Sequence, residues 1–289
     1  METGKVRIVT DSTASLSAEE IARYNVHVVP LKVIFGTEVY SEGVDITNEE
    51  FYRRLARGGM LPTTSQPPVG DFTRLYRELA EAGHPILSLH ISSRLSGTVN
   101  SAEAAREKLP QAQIEIVDCF TVALRMLIAP AVRAAEGGQS LPQLKASIEK
   151  LNARMNAFGA LGTLEYLSKG GRIGVAKALL GTLLRIKPIL AFEGGELRVL
   201  SRARTSAKAI EYMVELMKKR AGGGSPVHVG VVHTENMESA RLLKKEVEAC
   251  FDCAELELLE LGPVLASHLG PGFFGIGFYS DEEWQPDQY

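Results

Sequence analysis

The sequence predicts an α/β protein made of two domains. Its 289 residues exceed the length of one average domain and suit two. In the first half, apolar strands alternate with amphipathic helices, which is typical of a largely parallel sheet flanked by helices. The second half contains a β-hairpin followed by further helices and strands, a pattern of α+β character. We therefore expect an N-terminal α/β domain over residues 1–155 and a C-terminal α+β domain over residues 156–289.

Boundary signals define the elements predicted in the first domain. The chain opens with a strand of alternating apolar positions, KVRIVTDS at 5–12. Capping boxes at 17–20 and 47–50 begin two helices, and the first of these ends at Tyr24. The other predicted elements are strands at 26–35, 85–91 and 113–118, and helices at 70–84, 97–109 and 120–136.

The second domain begins after a helix predicted at 141–155. The stretch KPILAFEGGELRVLSRART, at 187–205, indicates two strands around Gly194 and Gly195, which is a hairpin pattern. The remaining predicted elements are helices at 206–224 and 238–251, and strands at 226–234 and 253–261.

Composition excludes several classes of function. Apolar residues make up 45% of the chain and the mean hydropathy is zero, so a sizeable core is expected. Lys and Arg number 32 against 35 Asp and Glu, and the net charge of −3 gives no basic surface for nucleic acid. No apolar run approaches the roughly 20 residues of a membrane-spanning helix. The first residues contain no signal-peptide core, so we expect a cytoplasmic protein without stable membrane insertion.

The cysteines and the known motifs give no support for a metal or a cofactor. Three cysteines do not suggest a disulfide framework. Cys250 and Cys253 form one C-x-x-C, which we interpret as two small buried residues at a helix-to-strand junction, and no second pair completes a zinc site. Phosphate-binding loops, nucleophile elbows and zinc-protease motifs are absent. We therefore expect no metal and no cofactor.

A cluster of hydroxyl side chains lies where a predicted strand gives way to a helix. Ser96, Gly97 and Thr98 follow the strand at 85–91, at the carboxyl edge of the sheet, where ligands bind in open α/β folds. A helix N-terminus offers unpaired N–H groups to an anion, and Gly97 would let that anion approach the backbone. Alternatively, Ser96 caps its own helix.

Two further segments have a related character. LPTTSQPPVGDF, at 61–72, is a second hydroxyl cluster, stiffened by three prolines ahead of a helix. SHLGPGFFGIGFY, at 267–279, places His268 beside a Gly-Pro-Gly turn.

Together these segments resemble the DegV family, the fatty-acid-binding proteins that serve bacterial fatty acid kinase in phospholipid synthesis. The resemblance extends nearly from end to end, in the family's order and at similar spacing. The motifs that carry it are VTDST (9–13), PTTSQP (62–67), ISSRLSGTVNSA (91–102), YLSKGGRIG (166–174), LLRIKPIL (183–190), RART (202–205) and GPGFFGIGFY (270–279).

The resemblance implies a lipid-binding protein that is not itself an enzyme. It implies a long-chain fatty acid in a tunnel between two α/β domains, with the carboxylate held by Thr64, Ser96 and His268 near the amide of Gly97. It also implies a partner, the fatty acid kinase subunit, whose encounter with the protein involves Arg172 and Arg204. The alternatives for these two arginines are structural.

In the structural alternative, Arg172 caps the preceding helix end and Arg204 pairs with a surface carboxylate. Two apolar segments, 176–184 and 273–278, could line the tunnel or belong to the core, since a single sequence does not separate the two.

The chain departs from the family pattern at one place. Cys119 stands where the family usually has a serine, and Leu124 and Met126 stand where it usually has glycines, with Arg125 between them. Side chains at these positions should fill volume near the tunnel and so affect the preferred length of the acyl chain.

Two other functions are compatible with the same residues. One is a hydrolase that uses Ser96 with His268 and an acid such as Asp11. It lacks the nucleophile-elbow sequence. The other is a carrier of a different amphipathic carboxylate.

Overall fold

The computed structural model describes residues 4–119, 124–179, 186–193, 196–221 and 225–281. The chain forms two compact units. The first comprises Met1–Ala153 together with Gly262–Val264, and the second comprises Arg154–Leu261 and Leu265–Tyr289. The three residues 262–264 therefore pack with the first unit although they lie late in the sequence.

The first unit contains seven strands and six helices among its described residues. The strands are β1 (Arg7–Asp11), β2 (His27–Val29), β3 (Lys32–Phe35), β4 (Glu38–Ser41), β5 (Thr63–Ser65), β6 (Ile86–Ile91) and β7 (Ile114–Cys119). The helices are α1 (Ala18–Tyr24), α2 (Asn48–Ala56), α3 (Val69–Glu81), α4 (Thr98–Glu107), α5 (Leu124–Glu136) and α6 (Leu141–Arg154).

A four-stranded parallel sheet in the order β2-β1-β6-β7 organises the first unit. It confirms the parallel sheet that the sequence predicts. Strand β6 is buried along its whole length, because helices cover both faces of the sheet. Phe72 and Tyr76 of α3 pack on one face with Val9 and Ile86. Helix α5 packs against β1 and β6 and buries Leu127.

The strand predicted at 26–35 is two strands in two different sheets, which corrects the sequence-based assignment. Pro30 has no N–H to continue the ladder, and the N–H of Leu31 donates to Ser12 Oγ at 3.0 Å instead of to a neighbouring strand. Beyond this break, β3 forms the centre of a three-stranded antiparallel sheet in the order β4-β3-β5. The sequence did not predict this sheet, and β5 occupies the hydroxyl-rich segment.

The two predicted capping boxes differ in the structure. At α1 both bonds form, with the N–H of Glu20 donating to Ser17 Oγ and the N–H of Ser17 donating to Glu20 Oε2. At α2 only the N–H of Glu50 donates to Thr47 Oγ1, at 3.2 Å. The Glu50 carboxylate pairs with arginines of its own helix, so the second box is half formed.

The second unit is built on one six-stranded sheet. Its strands are β8 (Asn156–Ala160), β9 (Lys187–Glu193), β10 (Glu196–Ala203), β11 (Val227–His233), β12 (Cys253–Glu260) and β13 (Phe274–Ser280). Its helices are α7 (Glu165–Lys169), α8 (Ser206–Arg220), α9 (Met237–Cys250) and α10 (Pro263–Leu269), which begins within the segment 262–264. The strand order is β10-β9-β8-β13-β11-β12, and only β11 and β12 pair in parallel.

The predicted hairpin corresponds to β9 and β10, which pair antiparallel from Lys187 opposite Ala203 to Glu193 opposite Glu196. Its turn residues, Gly194 and Gly195, lie outside the described part of the chain. The core of this unit includes Met213 of α8 and the aromatic side chains of Phe158, Phe274 and Phe278, among other residues.

The C-x-x-C lies at the helix-to-strand junction that the sequence predicts. Cys250 ends α9 and Cys253 begins β12, and both thiols are free. The expected burial is wrong, because Cys250 is exposed and Cys253 is half-buried. Among the described helices, none combines the length and the apolar character needed to cross a membrane.

Candidate functional site

Strand β5 presents Thr64 on the inner side of the three-stranded sheet. Thr64 pairs with Val33 of β3, whose side chain is fully buried, and residues paired across strands share a face. Thr64 is half-buried, whereas its neighbours Thr63 and Ser65 are exposed. The alternation of the strand therefore distinguishes Thr64 from the other hydroxyls of its segment.

Ser96 and Gly97 lie at the N-terminus of α4, as the sequence predicts. The N-cap residue is Gly97, which has no side chain to cap the helix. Ser96 Oγ lies 2.8 Å from Thr98 Oγ1 and accepts from the Thr98 N–H at 3.3 Å. Ser96 therefore borders the helix start without being its N-cap.

Gln66 connects the two hydroxyl segments. Its side-chain Nε2 donates to Ser101 Oγ of α4 at 3.0 Å. The carboxamide also lies directly over Gly97, so that a methyl group on Gly97 would be 2.8 Å from Gln66 Nε2. The segment that carries Thr64 thus contacts the turn that carries Ser96.

Two aspartates fix the loop between β6 and α4. Asp11, at the end of β1, accepts from the N–H of Ile91 at 2.9 Å. Asp118, on β7, accepts from the N–H of Ser93 at 3.0 Å and from the Ser93 hydroxyl. The loop is therefore held at its start by carboxylates from both neighbouring strands, which positions Ser96.

A buried hydrogen-bonded chain extends from Asp11 into the core of the first unit. Asp11 Oδ2 lies 3.1 Å from His90 Nδ1, and His90 Nε2 lies 2.7 Å from Ser88 Oγ. The hydroxyl of Tyr76 donates to Ser88 at 2.7 Å. Since the carboxylate accepts, the network assigns the proton to His90 Nδ1. All four side chains are inaccessible to solvent.

This chain bears on the hydrolase alternative. The hydrolase alternative needs an acid such as Asp11. The Asp11 carboxylate is hydrogen-bonded to His90, Ile91 and Thr13 within the first unit. Ser88, His90 and Asp11 are hydrogen-bonded in the serine–histidine–acid sequence of a catalytic triad, but Ser88 is fully buried and is also hydrogen-bonded to Tyr76.

In the second unit, His268 packs tightly against the glycine-rich segment after α7. A methyl group on Gly170 would lie 3.0 Å from His268 Cε1, and one on Gly270 would lie 2.8 Å from Cγ of Tyr166. The segments 166–174 and 267–279 therefore pack closely, and each places an aromatic ring against a glycine of the other. Gly270 also has a φ of +71°, which favours glycine.

The imidazole of His268 is held neutral at physiological pH. Burial lowers its pKa to about 4, and the nearby positive charge of Arg172 acts in the same direction. His268 is thus a neutral hydrogen-bonding group, and the positive charge of Arg172 lies near it.

The Gly-Pro-Gly turn beside His268 is fixed by residues that follow β11. The N–H of Gly272 donates to the Thr234 carbonyl at 2.8 Å, and Asn236 Nδ2 donates to the Gly272 carbonyl at 2.9 Å. Thr234 Oγ1 additionally donates to the Gly270 carbonyl. These contacts keep the turn, and with it the end of α10, in one place.

Arg172 and Arg204 are both exposed in the second unit. Arg172 Nη1 donates to the carbonyl of Gly170 at 2.7 Å, so it does cap the end of α7. Arg204 follows β10, and it forms no ion pair with any carboxylate that the structure describes. The predicted surface pair of Arg204 is therefore not seen among those residues.

The segment that departs from the family pattern lies in the first unit. Cys119 is fully buried, and burial raises the pKa of its thiol well above the usual value. Leu124 is buried and Met126 is half-buried, whereas Arg125 pairs with both oxygens of Glu20 and donates to the Ser15 carbonyl at 3.0 Å. Arg125 therefore has a structural role, and residues 120–123 lie outside the described ranges.

The structure thus brings the predicted residues together in two groups. Thr64, Ser96 and Gly97 belong to the first unit, and His268 and Arg172 belong to the second. Sequence reasoning missed the residues that hold these groups in place, which are Gln66, Asp118, His90, Thr234 and Asn236. Of these residues, only Asp118 could have been found from the sequence. An acid at the end of a strand lies at the same sheet edge as the loop after the neighbouring strand.

Fold and site define a two-unit α/β protein, in which the first unit holds hydroxyl and amide donors suited to an anion and the second unit holds a buried imidazole. The sequence profile of the family described as "Uncharacterised protein, DegV family" matches residues 5–281. The chain belongs to the DegV family. Protein DegV of Bacillus subtilis is 33% identical over 275 residues, which cover 94% of this chain and 98% of the relative.

Solved structures share the whole fold. A DegV family protein from Thermus thermophilus, whose structure is described in terms of fatty acid binding, has a TM-score of 0.91 and 37% identity, covering 96% of this chain and 100% of its own. A stearic acid-binding protein from Eubacterium ventriosum has a TM-score of 0.85 and 30% identity, covering 95% and 98%.

Proposed function

We propose that this protein binds a long-chain fatty acid and presents its carboxylate to a separate fatty acid kinase, which forms the acyl phosphate. The observation that carries the binding step is the hydroxyl cluster of Thr64 and Ser96, joined through Gln66 at the N-terminus of α4. Its support from known proteins is that similar chains from Thermus thermophilus and Eubacterium ventriosum bind fatty acids.

A carboxylate taken from water must recover its lost hydration through hydrogen bonds or a positive charge. In this proposal the hydroxyls of Thr64 and Ser96 and the amide near Gly97 supply donors, and His268 supplies a further polar group. A carboxylate bound at the imidazole would favour its protonated form, so ligand binding should raise the pKa of His268.

The acyl chain supplies most of the affinity. About 15 methylene groups at ~0.8 kcal/mol each give roughly 12 kcal/mol of gross stabilisation. The loss of translational, rotational and chain freedom on binding reduces this sum. The head group then determines orientation and selectivity for an acid, and the apolar chain determines how tightly the ligand is held.

Mass spectrometry of small molecules extracted from the purified, denatured protein tests the binding step. We expect about one long-chain fatty acid per chain, because a site able to bury a whole acyl chain does not stay empty in a cell. An extract without fatty acid, together with no binding in titration, would contradict the proposal. A different amphipathic carboxylate in the extract would identify another ligand for the same site.

Substitutions test the head-group residues. Thr64→Ala and Ser96→Ala should each weaken fatty acid binding, because a hydrogen bond to a charged group contributes about 1.5–3 kcal/mol. The matched control is Thr63→Ala, which removes an exposed hydroxyl from the same strand. The corresponding fatty alcohol should be less sensitive to both changes. Equal losses for acid and alcohol would mean that these residues support the fold and not the carboxylate.

A further inference from the structure

Gln66 is an exposed residue whose side chain connects two segments of the first unit, by contacts with Ser101 and Gly97. We infer that Gln66 is a positioning residue, which locks the strand carrying Thr64 onto the turn carrying Ser96 and so assembles the carboxylate site. The inference rests on the proposed function, since it concerns how the same site is held together.

The first support is the backbone of Gly97. Its φ of −76° and ψ of 12° are open to any amino acid, so backbone conformation does not require glycine here. The carboxamide of Gln66 occupies the space where a Cβ would lie, so a side chain at position 97 would displace this carboxamide. Glycine at position 97 therefore permits the contact with Gln66.

The second support is that the carboxamide is fixed in this place. Gln66 Nε2 donates to Ser101 Oγ at 3.0 Å, and Ser101 is buried one turn into α4. Pro67, the next residue, is buried and restrains the backbone on the other side. Without this side chain, the hydrogen bond from the segment to Ser101 of α4 is lost.

The third support is distance along the chain. Thr64 is two residues before Gln66, and Ser96 is one residue before Gly97. A shift at the contact between Gln66 and Gly97 is therefore transmitted to both hydroxyls. Hydrogen bonds need their partners within a few tenths of an ångström, so a loosened contact costs affinity for a carboxylate more than for an uncharged head group.

A double-mutant cycle tests this inference. The variants are Gln66→Ala, Gly97→Ala and the double variant, with Gly70→Ala as the control because a methyl group there meets no atom within 4 Å. Binding of palmitic acid and of the corresponding alcohol is measured for each, together with the unfolding free energy. We expect each single change to weaken acid binding about five- to tenfold, with a smaller effect on the alcohol.

The double variant should bind the acid about as tightly as the single variant with the lower affinity, because both changes break the same contact. If the losses of affinity in the two single variants add in the double variant, Gly97 acts on the ligand independently of Gln66 and the inference is wrong. If Gln66→Ala binds like the parent, the inference is also wrong, while the proposed function stands. If the parent itself binds no fatty acid, the proposed function fails and the inference falls with it.

Discussion

At the scale of single residues, Glu42 is a buried carboxyl group of the first unit with a raised pKa. Its side chain is 5% exposed, and Oε1 accepts from the N–H of Val264 at 2.8 Å. Oε2 is buried as well, and the Ser12 hydroxyl lies close enough to the carboxyl group to lower its pKa in part. Burial, with the negative charge of Asp11, raises the pKa of this carboxyl to about 7.

Replacing Glu42 by glutamine should change how stability depends on pH. Because the folded-state pKa is about 7 and the ordinary value is 4.5, the parent should lose stability as pH rises between these values. The loss amounts to about 3 kcal/mol, since each pKa unit corresponds to about 1.4 kcal/mol. Glu42→Gln keeps the acceptor for Val264 without the charge, so its unfolding free energy should stay level over this range.

Chemical denaturation of both proteins at pH 5 and pH 8 measures this difference. At pH 5 the Glu42→Gln variant should gain little over the parent, and at pH 8 the variant should be the more stable protein. Parallel stability curves for the two proteins would mean that Glu42 is ionised at the same pH in the folded and unfolded chain.

Some residue-scale features could be predicted from sequence and others could not. The position of Ser96 and Gly97 at the start of a helix was predictable, because a hydroxyl cluster followed a strand and preceded an amphipathic segment. The contact between Gln66 and Gly97 was not, since it joins two segments about 30 residues apart and leaves no periodic pattern. The hydrogen bonds of Asp11 with His90 and Ile91 could not be predicted either, because they join residues about 80 positions apart.

At the scale of elements, the loop between β6 and α4 depends on the strands that flank it. Asp118 of β7 receives two hydrogen bonds from Ser93, one from its backbone and one from its hydroxyl. Helix α4 then begins at Thr98, directly after the turn. The carboxyl edge of the parallel sheet thus holds the loop that presents Ser96.

Asp118→Asn should weaken fatty acid binding although Asp118 is not proposed to touch the ligand. The change removes the charge and turns one acceptor into a donor, so the loop loses a hydrogen bond to an ionised group, about 1.5–3 kcal/mol. Calorimetric titration should show a several-fold weaker affinity for the acid. Glu115→Gln is the control, because Glu115 lies on the same strand and pairs with Lys145 instead. Equal behaviour of the two variants would contradict a special role for Asp118.

Elements with strong local signals were predictable, and those defined by tertiary contacts were not. The capping box of α1 and the strands of the hairpin appear as predicted. Strands β8 and β13 were missed because glycines interrupt their side-chain pattern. Gly159 pairs with Gly275 across the two strands, and a methyl group on Gly275 would lie 2.9 Å from the ring of Phe273. The glycines make room for this ring, a reason that no local pattern reveals.

Helix α5 gives an element-scale prediction about chain length. Leu124 is buried and Met126 half-buried where the family pattern has glycines. If these side chains shorten the space for the acyl chain, Leu124→Gly with Met126→Gly should shift the preference toward longer acids, measured across a series of chain lengths. Each glycine also costs a helix about 1 kcal/mol, so stability must be measured in parallel. An unchanged preference would mean that both side chains belong to the core.

At the scale of the whole molecule, the two units carry different chemical groups. The first holds neutral hydroxyls and backbone amides, which suit a carboxylate. The second holds His268, with its pKa lowered to about 4, and exposed arginines that include Arg172 and Arg204. Phosphorylation of a carboxylate adds negative charge at the head group, and guanidinium groups bind phosphate oxygens in a bidentate manner. If the protein serves a kinase, as proposed, we expect these arginines to contribute more to phosphoryl transfer than to fatty acid binding.

Arg172→Ala and Arg204→Ala should therefore separate binding from phosphoryl transfer. Both side chains are exposed, and the loss of a surface interaction changes stability by only about 0–1 kcal/mol, so the melting temperature and fatty acid affinity should stay near the parent's. With a fatty acid kinase, ATP and magnesium, acyl-phosphate production should fall about tenfold or more, equivalent to roughly 1.4 kcal/mol. Arg198→Ala, an exposed arginine of β10, is the control. Normal phosphorylation by both variants would make the two arginines structural. A loss of fatty acid binding would instead add them to the carboxylate site, with Arg172 acting beside His268.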